Sequence, residues 1–299
     1  MINFFECYDQ FEHNITVEIV LDSISVYSGT RATTMLVEFP RFILPQFNTH
    51  RRFSKNSASS RALSFDKVLE KLKAKYYMPQ LWLADHQGMQ TSVLVSERQH
   101  SIANAIWKSS MYSAIAHAYL LNKVGVSKQY VNRIIEPYAY VKVLVTSTEW
   151  QNFFNQRDDY HAQYEIQVLA RRMRQALQQS IPTTLEKGQW HLPFIAGALL
   201  ELPLEERLLV SAARCARTSY GRNAGYSVKK DMDLSINTLL GSPPHMSPFE
   251  HQLCANYAED ESTSNVDGWM QQRFIIDQLV KRYGKFTLDK YLEYVSYYN

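Results

Sequence analysis

The chain has 299 residues, 45% of them hydrophobic, with 32 lysines and arginines against 29 acids and a net charge of +3. That length can bury a substantial core and suits one large domain, and 19 tyrosines, 14 phenylalanines and 5 tryptophans exclude a disordered chain. So mild a positive balance excludes a polyanion binder that works by bulk charge, so any preference for phosphate has to be local.

The opening stretch, MINFFECYDQFEH, carries acids inside its apolar run and no basic leader, so it is not read as a signal peptide. Residues 15–28 alternate and are β-branched, which predicts a strand. Residues 32–47 predict a second, bent or at a sheet edge because of its two prolines. There follows FNTHRRFSKNSASSRALSF (47–65), with one histidine, three arginines, five serines and no acid, where a strand gives way to a turn or helix. A helix is predicted over 64–77 with Ser64 as N-cap. A loop follows over 78–91, then a long helix over 95–125 ended by Gly125, then a short one over 127–138 stopped by Pro137.

Residues 147–180 give the strongest helical pattern and predict one continuous helix. Phe154, Ile166, Leu169, Met173 and Leu177 recur on its core face, and Asn152, Arg157, His161 and Glu165 on another. A further helix is predicted over 202–221, then turn, short helix and strand over 242–260, and an aromatic helical end from 268 onward. No repeat, linker or low-complexity tract divides the chain, so a single domain over 1–299 is expected.

Two readings compete for each polar cluster. The 47–65 stretch is either a solvated basic turn or an anion site built from hydroxyls, backbone amides and guanidinium forks. Asn152, Arg157 and His161 are either a surface stripe, with Asp158 or Asp159 pairing the arginine, or part of a site. Ser247, Pro248 and Glu250 in HMSPFEH are explained by helix capping alone. His245 and His251 lack a usual metal spacing, and no metal site is expected. Cys7, Cys215 and Cys254 are odd in number and far apart, which points to a reducing compartment, with Cys254 a buried small hydrophobe. No run approaches the roughly 20 apolar residues of a membrane span. A soluble cytoplasmic protein is expected.

Three segments together resemble the flavin-dependent thymidylate synthase family, whose hallmark reads Arg-His-Arg, then Ser, Asn, Ser and Arg at fixed offsets. THRRFSKNSASSR supplies His50, Arg51, Ser54, Asn56, Ser59 and Arg61 at those offsets. NFFNQRDDYHAQYEIQ (152–167) resembles the helix that lines flavin and nucleotide, and AARCARTSYG (212–221) and HMSPFEH (245–251) resemble segments that precede the hallmark in the family. Here they follow it, as in a circular permutation. The resemblance is clearest over 32–180 and 203–257.

The resemblance implies an α+β fold, a mixed, curved sheet against long helices with permuted segment order. It implies FAD-dependent C5-methylation of a pyrimidine deoxynucleoside monophosphate, dUMP first, by a homotetramer with shared active sites. Methylenetetrahydrofolate would give the carbon and NADPH the electrons, with no cysteine nucleophile. His50, Arg51, Asn152, His161, Ser247 and Glu250 would lie against FAD. Gln46, Ser57, Ser59, Arg61, Arg133 and Arg157 would hold the nucleotide, with Arg157 catalytic beside its ring. Thr49 replaces the first hallmark arginine, with Arg52 the candidate substitute beside the flavin, and Ser57 replaces a glutamate. These departures leave dCMP, or a hydroxymethyl product, as the alternative. A non-catalytic nucleotide binder is the third reading, and nucleic acid is not an expected partner.

Overall fold

The computed structural model describes residues 14–87, 93–218, 227–241, 243–256, 262–263 and 265–296. Cys7, the opening stretch and the Ser-Tyr-Gly end of the 212–221 segment lie outside them.

β1 (Thr16–Ser25) and β2 (Arg31–Pro40) form an antiparallel hairpin, as their alternation predicts. A register shift between Ile19 and Leu21 bends β1. β2 is central rather than an edge strand. Pro40 is its last residue, and Pro45 lies beyond it in α1 (Leu44–Asn48), so neither ring removes a donor from the middle of the ladder. The hallmark strand β3 (Ser54–Ser57) pairs with β4 (Tyr140–Ser147), which pairs with β2. With β5 (Thr183–Leu185) parallel to β1, the order is β3-β4-β2-β1-β5. Neither β3 nor β4 was expected from the sequence.

Helix α2 (Phe65–Ala74) starts after Ser64, and α3 (Glu97–Lys123) starts with a capping box between Ser96 and Gln99. Helix α4 (Lys128–Val131) runs into a 3-10 turn that ends at Tyr138. The single helix expected over 147–180 is two, α5 (Gln151–Arg157) and α6 (Tyr164–Gln179). Two aspartates make the break. Asp158 leaves helical geometry, and its carboxylate is taken by Arg171 (3.4 Å) and Arg174 (3.1 Å) of α6, while Asp159 accepts from the backbone N–H of His161 (2.9 Å). Short acidic side chains compete in this way with the helical backbone.

The remaining elements are β6 (Trp190–His191), α7 (Leu204–Arg217), α8 (Val228–Leu234), a 3-10 turn at Ser247–Glu250, β7 (Leu253–Cys254), β8 (Ser262–Thr263), β9 (Val266–Asp267), β10 (Met270–Gln271), α9 (Gln272–Tyr283) and α10 (Leu288–Ser296). β10, β7 and β6 form a small second sheet. The aromatic end is therefore two helices, parted at Gly284, which is left-handed at φ 74°. Among the described residues no helix is long and apolar enough to cross a membrane.

The five-stranded sheet is covered on both faces. Met35, Val37, Phe39, Val141, Val143 and Val145 pack on Ile166, Leu169 and Met173 of α6. On the opposite face Leu36 and Leu144 meet Cys215 of α7. Alongside, Thr34 and Thr146 share a hydrogen bond across β2 and β4 (2.7 Å). Thr34 also bonds His191 Nε2 (2.8 Å), Thr146 bonds His251 Nδ1 (2.8 Å), and His191 Nδ1 reaches Ser23 (2.9 Å). Both imidazoles are fully buried, and burial pushes each down to about 3.

This junction makes the fold acid-sensitive. An unfolded histidine takes up a proton below about pH 6.5, whereas these stay neutral until about 3. Their contribution is complete above the unfolded value and is lost as pH falls through that window. Urea unfolding at stepped pH should show stability declining from about pH 6.5 downward, and a flat profile over that span would contradict buried neutral rings. Thr146→Val should cost about 1–3 kcal/mol at neutral pH by leaving a buried ring nitrogen without its partner.

Candidate active site

The hallmark turn is held from inside. Phe47, Phe53 and Phe153 are buried around it, and the His50 imidazole is wedged edge-on against Phe153 with centroids 4.8 Å apart. Arg157, the last residue of α5, donates Nε–H to His50 Nε2 at 3.0 Å. A helix C-terminus favours that cation. The bond requires a neutral imidazole with its proton on Nδ1. Burial first, then the charges of Arg157 and Lys55, push His50 down to about 4.

Neither aspartate next to Arg157 neutralises it. Asp158 is held by α6, and Asp159 bonds His161 Nδ1 at 2.8 Å. The arginine ion pair that the surface-stripe reading expected is absent among the described residues, while Asn152 and His161 are exposed as that reading had them. Among the described residues no carboxylate lies within ion-pair distance of Arg51, Lys55 or Arg157.

Strand alternation divides β3. Ser54 and Asn56 face the C-terminal elements: Ser54 Oγ accepts from Gln271 (3.0 Å) and Asn265 (3.1 Å), and Asn56 Nδ2 donates to the Cys215 carbonyl (2.9 Å). Ser247 donates to Asn56 Oδ1 at 3.4 Å. The two C-terminal segments thus return to the hallmark strand despite their position in the chain. Glu250, beside Ser247, is paired with Arg273, and burial keeps its carboxyl above the ordinary range against that pairing.

The other residues singled out in the sequence sort into two groups. Gln46 donates to Gln163 (2.6 Å) in the α5–α6 break, close in sequence to His161, which is exposed beside Tyr160. Asn152 is exposed on α5, where its Oδ1 accepts from Gln156 (3.3 Å). Ser57 ends β3, half-buried. These surround the His50–Arg157 pair or lie on the elements that carry it. Ser59 does not. It lines a cleft of about 420 Å³ with Lys71, Asn132, Tyr140 and Lys142, and neither His50 nor Arg157 lines that cleft. Arg61 is exposed beyond Ser59, and Arg133 is exposed and pairs with Glu136 (3.4 Å). Arg52 turns away to Asp267, so it does not stand in for the arginine missing at Thr49. Lys55 and Phe153 are part of the site and were not singled out, because a lone lysine in a basic turn and a phenylalanine in a helix carry no distinguishing pattern.

A family model described as thymidylate synthase complementing protein matches residues 25–183, more than half of the chain. The chain belongs to the flavin-dependent thymidylate synthase family. It is a thymidylate synthase-like methyltransferase, whose hallmark strand and α5–α6 pair fall inside the matched span. Two crystal structures of a UMP/dUMP methylase, PolB from Streptomyces cacaoi, one with 5-Br UMP and one with 5-Br dUMP, are similar to it. Their TM-scores are 0.47 and 0.46, at 19% and 18% identity, over 56% of this chain and 90% and 91% of theirs. No curated protein matches the chain.

The residues present fit the flavin that membership in this family implies. Unneutralised Arg51 suits phosphate oxygens, while the neutral His50 ring, the Asn152 amide and the Ser247 hydroxyl suit the carbonyl and nitrogen edge of a flat ring. The His50 ring should show its Nδ1–H tautomer and unchanged nitrogen chemical shifts between about pH 5.5 and 8 by NMR. A midpoint near 6.5 would contradict a buried ring that accepts from Arg157.

Proposed function

We propose that the protein methylates C5 of a pyrimidine deoxynucleoside monophosphate, dUMP first, using FAD, with methylenetetrahydrofolate as carbon donor and NADPH as reductant. The Arg157–His50 bond carries this reading, because it fixes a cation and a neutral imidazole at the hallmark turn. Arg157 stabilises charge on the ring carbonyl as C5 becomes nucleophilic, and a charge already in place needs no reorganisation during the reaction. When bound, FAD supplies the transfer of electrons from NADPH. His50, Arg51, Asn152, His161, Ser247 and Glu250 hold it.

No cysteine is needed as nucleophile. Burial pushes Cys254 up to about 12 and Cys215 further in the same direction, so neither forms a thiolate at neutral pH. Gln46, Ser57, Ser59, Arg61 and Arg133 join Arg157 around the nucleotide. Ser59 and Arg61 line or flank a different cleft from the His50–Arg157 pair in the same chain, which supports a site shared between subunits of a homotetramer. Each subunit is one catalytic domain of a cytoplasmic enzyme.

Purified protein should show flavin absorbance. It should convert dUMP to a product heavier by one methyl group when given the folate donor and NADPH. Arg157→Ala should lower kcat by about 10²–10³-fold. Ser57, in the place of a glutamate, makes dCMP the necessary parallel assay: turnover of dCMP alone would change the substrate, and a hydroxymethyl mass the product. Nucleotide binding without turnover would leave a binder, and protein that takes up no flavin would overturn the proposal.

A further inference from the structure

Thr49 leaves the hallmark turn one cation short, and its hydroxyl is folded back onto the Gln46 carbonyl (2.7 Å). With Arg52 engaged by Asp267, one other cation reaches the place. Lys55 leaves β3 on the face opposite Ser54 and Asn56. Its Nζ lies 6.0 and 5.9 Å from the ring centroids of Phe47 and Phe53. It donates to the carbonyls of Asn48 (3.2 Å) and His50 (2.7 Å), the two residues that flank Thr49. An ammonium has three N–H groups, and these bonds use two.

We propose that Lys55 supplies the positive charge absent at position 49 and that its third N–H holds an acceptor oxygen of the nucleotide, making it a substrate-binding residue. This rests on the nucleotide-methylating function proposed for the same site. The groups around it leave that N–H without a protein acid. On its own turn are Arg51 and the neutral His50, and from α5 comes Arg157. From the 3-10 turn before β7 comes Glu250, which Arg273 of α9 holds. Burial also brings Lys55 down to about 8, against the field of Glu250. Its charge is therefore present at neutral pH and lost above that value. His50 titrates near 4, well below this window, and the nucleotide phosphate loses its second proton near pH 6.

Calorimetric titration of dUMP into wild type, Lys55→Met, Lys55→Arg and the double variant Thr49→Arg/Lys55→Met tests the assignment. Wild-type affinity should fall through an inflection near the lysine's value of about 8. Lys55→Met should bind at least about tenfold more weakly at neutral pH. The double variant should recover most of that loss. Lys55→Arg should bind without the inflection, since a guanidinium stays charged throughout, so the assignment remains testable even where the methionine variant folds poorly. Wild-type affinity in Lys55→Met, or an inflection that survives in Lys55→Arg, would overturn it. A wild type that binds neither dUMP nor dCMP would overturn the proposed function and this inference with it, whereas binding indifferent to Lys55 overturns this inference alone.

Discussion

Two threonine hydroxyls facing each other across β2 and β4 tie the halves of this chain together. Thr34 and Thr146 bond one another, and each also bonds a histidine from the C-terminal elements, His191 and His251. All four side chains are fully buried. A buried hydroxyl or imidazole without a partner costs on the order of 1–3 kcal/mol, so no member of the set can be lost cheaply. In the position β6 and the strand after the Ser247–Glu250 turn take on the sheet, these bonds are made. That position also brings Ser247 and the end of α7 to Asn56 of the hallmark strand.

Acids are managed around the site as carefully as cations. Asp158 is claimed by Arg171 and Arg174, Glu250 by Arg273 and Asp267 by Arg52. Each arginine that quenches an acid lies outside the His50–Arg157–Lys55 group, which stays positive as a result. A neutral imidazole at its centre keeps the donors close without adding a third repelling charge. Under the proposed function this gives anionic oxygens a surface whose like charges are gathered before the ligand arrives.

Much of this was legible in the sequence, for reasons that also explain the rest. β1 alternates, α7 carries an apolar row and α3 ends before Gly125, and all three form close to where the sequence puts them. The hallmark residues were legible as a set of types at offsets, independent of fold. The division of 147–180 was not, because Asp158 acts through arginines 13 or more residues on, beyond the reach of any local pattern. β4 was missed because Val141, Leu144 and Val145 are buried from both faces and show no alternation that single-sequence reading can use. Arg52 and Lys55 could not be ranked either. Which cation turns inward depends on Asp267 and on two phenylalanine rings, all set by tertiary packing.

The segment order has a consequence for how the molecule is made. Asn56 bonds Cys215 and Ser247 across sequence separations of 159 and 191 residues. On the ribosome the hallmark strand is therefore finished long before the elements that cover it exist. Its polar face must wait, wetted or chaperoned, while much of the protein is still being synthesised. Closing loops of that size is entropically slow. The Asn56 side of β3 can therefore complete its hydrogen bonds only once Cys215 and Ser247 have been made.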